Sequence, residues 1–326
     1  MCSTQPQIQQ LNDYTLKQFN NRTLKKRYNV YTVSTIIFCT FVVLFRGKRI
    51  SRKREIMPAT DNKFCFLSLG SSSSGNCYFV GTSDYGFLID AGVSVRTVKK
   101  VCKDNGIDFS HIYGIFITHA HTDHVKYVGV LAEKYNLPIY TTQAVFDGIN
   151  GNVRITPKIS SHNRRVFCKS DKIAIRDFVV QSFPVSHDAS DAMGYSVLFN
   201  NQTLVIATDL GYISRDVSDN IARANYLVIE ANYDEEMLKN GNYNYTLKQR
   251  VRSHTGHLSN EHTARFLADN WHDSLTHLFL CHVSGENNTP ELAYSTVGDA
   301  LKEKNISPKL FVVLDRLAPS PMFVLE

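Results

Sequence analysis

No pair of cysteines in this chain stands in a C-x-x-C arrangement, and the seven present (Cys2, Cys39, Cys65, Cys77, Cys102, Cys168 and Cys281) are odd in number. That excludes a thiolate zinc site of the usual spacing and a closed disulfide framework, and fits a reducing compartment. Several of them lie in apolar runs, where cysteine serves as a small core residue. No apolar run reaches the roughly 20 residues a membrane-spanning helix needs. The nearest approach is "VYTVSTIIFCTFVVLF", residues 30–45, flanked by "LKKRYN" and "RGKRISRKR". Those basic flanks and the lack of a small-residue cleavage site argue against a simple signal peptide. Also missing are internal repeats, low-complexity tracts and any Pro/Gly linker within 63–326.

A basic globular surface is missing too. The formal charge of +6 comes from residues 1–56, which hold 11 of the 36 Lys/Arg but only Asp13 and Glu55 of the 30 acids. The remainder has 25 basic and 28 acidic residues (36 less 11, 30 less 2), so its charge says nothing of its substrate. Three readings of residues 1–56 stand: a dispensable extension ahead of a start at Met57, a membrane anchor, or a buried element. The extension is favoured, with 57–326 a single catalytic domain that makes no stable association with membranes and works in the cytoplasm.

From residue 63 short β-rich runs alternate with helical patterns. "FCFLSLG", "NCYFVG" and "YGFLIDAG" read as three consecutive strands joined by tight turns. "VSVRTVKKVCKDNG" reads as a helix stopped by Gly106, and "IYGIFIT" as a buried strand. "HVKYVGVLAEKYN" reads as one helix, and "LPIYTT" as a short strand. A polar stretch precedes "KIAIRDFVVQSFPVS", "MGYSVLFN", "TLVIATD" and "ANYLVIEAN". Helical patterns over 244–252, 260–270 and 290–303 surround "HLFLCHVS", and "KLFVVL" is a last strand. This order predicts an α/β fold, a sheet sandwich with helices on both outer faces.

One stretch carries dense chemistry. In "GIFITHAHTDHVKYVGV", His119, His121, Asp123 and His124 follow a strand end and open a helix. Open sheets place ligand groups there. His119 and His121 converge on one ion while Asp123 and His124 face a second, and neutral imidazole with carboxylate suits zinc.

T-H-A-H-T-D-H resembles the metal motif of the metallo-β-lactamase-fold hydrolases, and further family motifs follow in order from about residue 63 to 315. The resemblance implies an αββα sandwich of two mixed sheets. It assigns His187 of "FPVSHDA" to the first ion, Asp209 of "LVIATDLG" to a bridge, and His282 of "LFLCHVS" to the second. Asp90 of "FLIDAG" would fix the ligand loop from behind. "LGSSSSGNCYFV", "IEANYDEEML", "TGHLSNEHTARFL" and "HVSGENNTPELA" are similar to the YycJ/WalJ branch, bacterial exonucleases acting on DNA. Tyr233 departs from the pattern, standing where some relatives carry histidine. Other branches are excluded by what is missing: a glutamate at His121, an inserted domain in the 47 residues between Asp209 and His257, or an arm between His187 and Asp209.

The expectation is two-metal phosphodiester hydrolysis on zinc or manganese, acting as an exonuclease on single-stranded DNA. A small-molecule ester, lactone or thioester hydrolase on the same metals is the alternative. His257, just before a helix capped by Ser259 or Asn260, reads as the general acid or as a capping histidine, with His254 as its rival. Ser72 and Ser73, in the Ser71–Gly75 turn, are candidates to meet phosphate, as are Ser284 and Asn288; the turn reads equally as only a tight turn. The basic segment 152–172, with Arg164 and Arg165, reads as a strand guide or as a solvated loop.

Overall fold

A computed structural model describes residues 62–326. The segment 1–56 and the proposed boundary at Met57 lie outside the described residues. Two seven-stranded sheets are formed, in the order β14-β1-β2-β3-β4-β5-β6 and β13-β12-β11-β10-β9-β8-β7.

The first sheet contains β1 (Phe64–Ser72), β2 (Gly75–Gly81), β3 (Gly86–Ile89), β4 (Ile112–Phe116), β5 (Ile139–Thr141), β6 (Arg164–Val166) and the terminal β14 (Phe323–Leu325). The second contains β7 (Lys172–Ile175), β8 (Phe178–Pro184), β9 (Met193–Phe199), β10 (Gln202–Ala207), β11 (Tyr226–Glu230), β12 (His277–Cys281) and β13 (Leu310–Val313). Each sheet is mixed: β3 to β6 run parallel, as do β10 to β13, while the remaining neighbours are antiparallel. Aromatic side chains join the two inner faces. Ring centroids lie 5.0 Å apart for Phe66 and Phe279, 5.6 Å for Phe87 and Phe178, and 5.5 Å for Phe116 and Tyr195. β11 and β12 are buried along their whole length, as strands covered on both faces must be.

The helices are α1 (Val95–Asp104), α2 (Thr122–Val125), α3 (Val128–Tyr135), α4 (Gln143–Gly151), α5 (Arg215–Ile221), α6 (Glu235–Asn240), α7 (Tyr245–Arg252), α8 (Asn260–Asn270) and α9 (Pro290–Glu303). α1, α3 and α4 bury Val98, Leu131 and Phe146 in the core around the first sheet. α5, α8 and α9 bury Val217, Leu267 and Val297 in a second cluster against the other. Together the layers make the α/β sandwich expected from the sequence.

Three differences from the sequence reading have causes visible in the structure. The single helix expected over 124–136 is two, because the Tyr127 N–H turns away to the Ala91 carbonyl at 2.9 Å and breaks the run between α2 and α3. The polar stretch after residue 142 contains α4, capped by the Thr142 hydroxyl and packed through Val145, Phe146 and Ile149. A strand absent from the reading, β14, exists through antiparallel pairing with β1.

Candidate metal centre

The loops that carry functional side chains leave one edge of the sandwich, where β3, β4, β10, β11 and β12 all end. Asp90 follows β3, His119 follows β4, Asp209 follows β10, Glu230 ends β11 and His282 follows β12. Three of these five adopt the left-handed backbone: Asp90 at φ 63, Asp209 at φ 56 and His282 at φ 54. Non-glycine residues held there cost roughly 1–3 kcal/mol each, and persist where surrounding structure over-determines them.

His119, His121 and His187 form one cluster whose nitrogens lie within 4.8 Å of one another. Asp123, His124 and His282 form another, and His119, His124 and Asp209 a set between them. Asp209 reaches both sides: Oδ2 is 3.2 Å from His124 Nε2, and Oδ1 is 3.4 Å from His282 Nδ1 and 3.8 Å from His187 Nε2. All seven residues named from the sequence as ligands thus meet in one place.

Ring orientation follows from the acceptors behind each imidazole. Asp90, fully buried, accepts from Thr118 N and Oγ1 and from His124 Nδ1 at 2.7 Å, which aims His124 Nε2 into the site. Gly256 O accepts from His187 Nδ1 at 3.1 Å. Glu230 Oε1 accepts from His282 Nδ1 at 2.8 Å and His257 Nδ1 at 2.7 Å, while its Oε2 accepts from the Leu210 and Leu258 N–H groups. A carboxylate only accepts, so both rings carry their proton on Nδ1.

Electrostatics divides the histidines into two kinds. Burial pushes His119 well below the ordinary range, reinforced by the charge of His124, and burial also lowers His187. Burial opposes protonation of His124 and His282 as well, but neighbouring carboxylates led by Asp209 outweigh it. His124 is raised well above its usual value and His282 to about 10. Burial pushes up Asp123, Asp209 and Glu230, yet the adjacent histidines hold all three below the carboxylate range. Protons therefore stand in the chain where a cation would neutralise the same carboxylates.

These residues fit divalent metal. Nε2 of His119 and Nε2 of His282 are buried with no hydrogen-bond partner. An unsatisfied buried polar atom costs about 1–3 kcal/mol, and both nitrogens belong to the ligand sets.

A protein-family description, "Beta-lactamase superfamily domain", matches residues 85–275. The chain belongs to the β-lactamase superfamily. Within it the chain is 38% identical over 239 residues to Exodeoxyribonuclease YycJ of Bacillus anthracis, covering 73% of this chain and 89% of that protein. It is 33% identical over 243 residues to Exodeoxyribonuclease WalJ of Streptococcus pneumoniae serotype 2 (strain D39 / NCTC 7466), covering 74% and 90%. The crystal structure of the metallo-β-lactamase fold protein YhfI from Bacillus subtilis superimposes with a TM-score of 0.57 at 14% identity, over 80% of this chain and 99% of that one. This superfamily member is thus an enzyme of the hydrolase fold read from its sequence.

Two site residues escaped that reading. Glu230 sits in "YLVIEAN" as an apparent last strand residue, and its signal is an acid at the end of a strand otherwise wholly apolar. Asn76 is the other, donating its amide to His124 Nε2 at 3.0 Å and Asp123 Oδ2 at 3.3 Å.

The remaining candidates are placed as follows. His257 lies beside Asp209 and His282 in a fourth set with Glu230. His254 is exposed, edge-on to Tyr212, and in none of the ligand sets. Tyr233 is buried, with its hydroxyl donating to Glu235. Ser72 is buried and accepts from Ser74 N, while Ser73 is exposed at the turn. Ser284 Oγ accepts from the Glu286 and Asn287 N–H groups. Asn288 is buried, its amide committed to Ala231 O, Asn232 O and Asn260. Arg164 donates Nε and Nη2 to Ile159 O, and Arg165 donates to His162 O and Arg164 O. Both begin β6, two strands from β4. No helix among the described residues is long and apolar enough to cross a membrane.

Proposed function

We propose that this protein is a two-metal phosphodiesterase, an exonuclease that degrades single-stranded DNA in the cytoplasm, with zinc as its metal and manganese as the substitute. The observation that carries the reading is the pair of donor sets sharing Asp209: His119, His121 and His187 on one side, Asp123, His124 and His282 on the other. The relatives named exodeoxyribonuclease support nucleic acid as the substrate. The nitrogen-rich set of five imidazoles favours zinc.

Two divalent ions held here supply Lewis acidity toward phosphoryl oxygens and lower the pKa of water to about 7. The protein's own groups do the rest. Asp90, Gly256 O and Glu230 fix three ligand rings by accepting hydrogen bonds from their Nδ1–H groups, which turns each Nε2 toward the site. Glu230 likewise accepts from His257 Nδ1–H, which turns Nε2 toward the site, and the imidazolium form, protonated on both nitrogens, gives its Nε2 proton to the departing oxygen. Residues 1–56 take no part, and the catalytic domain is 57–326.

The test is hydrolysis by purified, zinc-loaded protein of end-labelled single-stranded DNA, beside duplex DNA, RNA, a small phosphodiester and a thioester. Preferred turnover of the thioester, with DNA untouched, overturns the proposal.

A further inference from the structure

Arg250, in the last turn of α7, reaches the edge of the first donor set through one carboxylate. Its Nε donates to Asp188 Oδ2 at 2.6 Å, and the other oxygen of Asp188 lies 3.4 Å from His187 Nε2 and 3.6 Å from His121 Nε2. We infer that Arg250 binds a non-bridging oxygen of the substrate phosphate, and that Asp188 is the positioning residue that holds its guanidinium at the edge of the site. The inference deepens the nuclease reading and rests on it for the phosphodiester, while anion binding by the arginine is measurable without turnover.

Anchoring is the first ground. Three consecutive residues of the loop that carries His187 are tied to the segment that begins at Arg250. Ser186 Oγ donates to His254 O at 2.6 Å, His187 Nδ1 donates to Gly256 O at 3.1 Å, and Asp188 accepts from Arg250. The segment doubles back on itself, with His257 N donating to Val251 O at 2.9 Å. Gly256 at the bend leaves no room for a side chain, since a Cβ there would stand 2.2 Å from Val251 O and 2.3 Å from Arg250 O. One tight return therefore presents both Arg250 and His257, the proposed proton donor, to the donor sets.

Unused donors are the second ground. A guanidinium carries five N–H groups. Asp188 takes the one on Nε, and among the described residues no hydrogen bond leaves either Nη group. The side chain is 55% exposed, so most of a rigid fork is left to a ligand that arrives from solvent. Of the Lys and Arg ion pairs among the described residues, this is the one whose acid also approaches ligand nitrogens. Arg252, two residues on, is spent on Glu235. An exposed ion pair contributes little stability, so stability alone does not account for one placed here.

Charge is the third. The bond to Asp188 raises the pKa of Arg250 above its ordinary value, and the charges of Asp188 and Asp123 add to that, so the cation also feels the second donor set. Phosphoryl transfer spreads negative charge over the non-bridging oxygens, and its catalysis is mostly positioning and electrostatic stabilisation. A planar guanidinium meets two oxygens of such a group at once.

The experiment uses the zinc-loaded full chain as wild type, Arg250→Ala, Arg250→Lys, Asp188→Ala and the double alanine variant. Bound metal is counted, inorganic phosphate is titrated by calorimetry, and turnover is measured on a small phosphodiester and on oligothymidylate. Arg250→Ala should hold both ions, weaken phosphate about 10–100-fold and lower kcat on both substrates by about 10²–10³. Arg250→Lys should recover part of the affinity, because lysine supplies the charge without the fork. Asp188→Ala should hold both ions and lose less. The double variant should bind phosphate no more weakly than Arg250→Ala alone, as two residues acting through one contact do.

Unchanged phosphate affinity in Arg250→Ala overturns the inference, as does a wild type that binds no phosphate. Loss of an ion in Arg250→Ala or Asp188→Ala also overturns it, since the pair would then serve the metal. Losses that add in the double variant overturn the positioning role of Asp188. Failure of the nuclease reading looks different: wild type cleaves neither phosphodiester, yet Arg250→Ala still weakens phosphate and upholds the arginine as an anion-binding group.

Discussion

Replacing Glu230 by glutamine tests the logic of the site through one atom. The carboxylate is fully buried and accepts four hydrogen bonds, two from His257 and His282 on Oε1 and two from the Leu210 and Leu258 N–H groups on Oε2. Glutamine keeps the shape but offers one acceptor oxygen and one NH2. The backbone N–H groups cannot invert, so the oxygen must face them and the NH2 must face the histidines. Each ring then relieves a donor–donor clash only by carrying no proton on Nδ1 and one on Nε2. That places a proton on His282 Nε2, the nitrogen meant for metal, and turns His257 over. Two bonds to a charged acceptor are lost, at about 1.5–3 kcal/mol each, and tautomer exchange recovers part. Glu230→Gln should therefore destabilise the metal-free chain by about 2–4 kcal/mol, read as a lower denaturant midpoint at constant m. It should also lose one metal per chain and roughly 10–100-fold in activity. A variant that keeps two metals, the wild-type rate and the wild-type midpoint would refute the assigned tautomers and the orienting role of Glu230.

Other outcomes follow from the same geometry. Asp209→Ala should release both ions and His282→Ala chiefly one, by metal analysis; wild type holding under one ion per chain in excess zinc or manganese would contradict a binuclear centre. His257→Ala should keep both metals and lose about 10²–10⁴ in rate, less on a substrate whose leaving group needs no proton; loss of metal would make His257 a ligand. A chain beginning at Met57 should be soluble and as active as the full one, and recovery of the native protein only from membranes would overturn that. In chelator-stripped protein, His282 near 10 against an ordinary 6.5 contributes stability that is complete below about pH 6.5 and fades toward pH 10. The depressed Asp123, Asp209 and Glu230 contribute stability that is present above their ordinary range and lost as pH falls below it. Its denaturation midpoint should thus peak on the acid side of neutrality. Metal should move the peak upward, because the ions take deprotonated histidine.

Elements whose cause is local were legible in the sequence. α8 announces itself through the Ser259 cap and its helical pattern, α9 through its helical pattern, and β1, β2 and β3 through β-rich runs between turns. Those with a tertiary cause were not. The break between α2 and α3 depends on a carbonyl 36 residues away, that of Ala91. The three residues of β14 are a strand because β1 offers an edge to pair with. α4 hides because Gly148 and Gly151 dilute the stripe of Val145, Phe146 and Ile149.

The site divides along the same line. H-x-H-x-D-H is compact enough to be read directly, whereas Asp90, His187, Asp209 and His282 gained meaning only through their order and the resemblance. Glu230 had neither help. An acid closing an apolar strand is common, and what marks this one is the four donors that the fold brings to it from residues 20 to 52 positions away. The left-handed turns at Asp90, Asp209 and His282 show why polar groups stand where glycine would be easier. Each turn folds its side chain back over the sheet edge instead of letting the strand run on. Glycine at any of them would relax the backbone and delete a group that accepts from, ligates with or bridges the others. The cost is retained at just those strand ends because the side chain, rather than the turn, is what the position supplies.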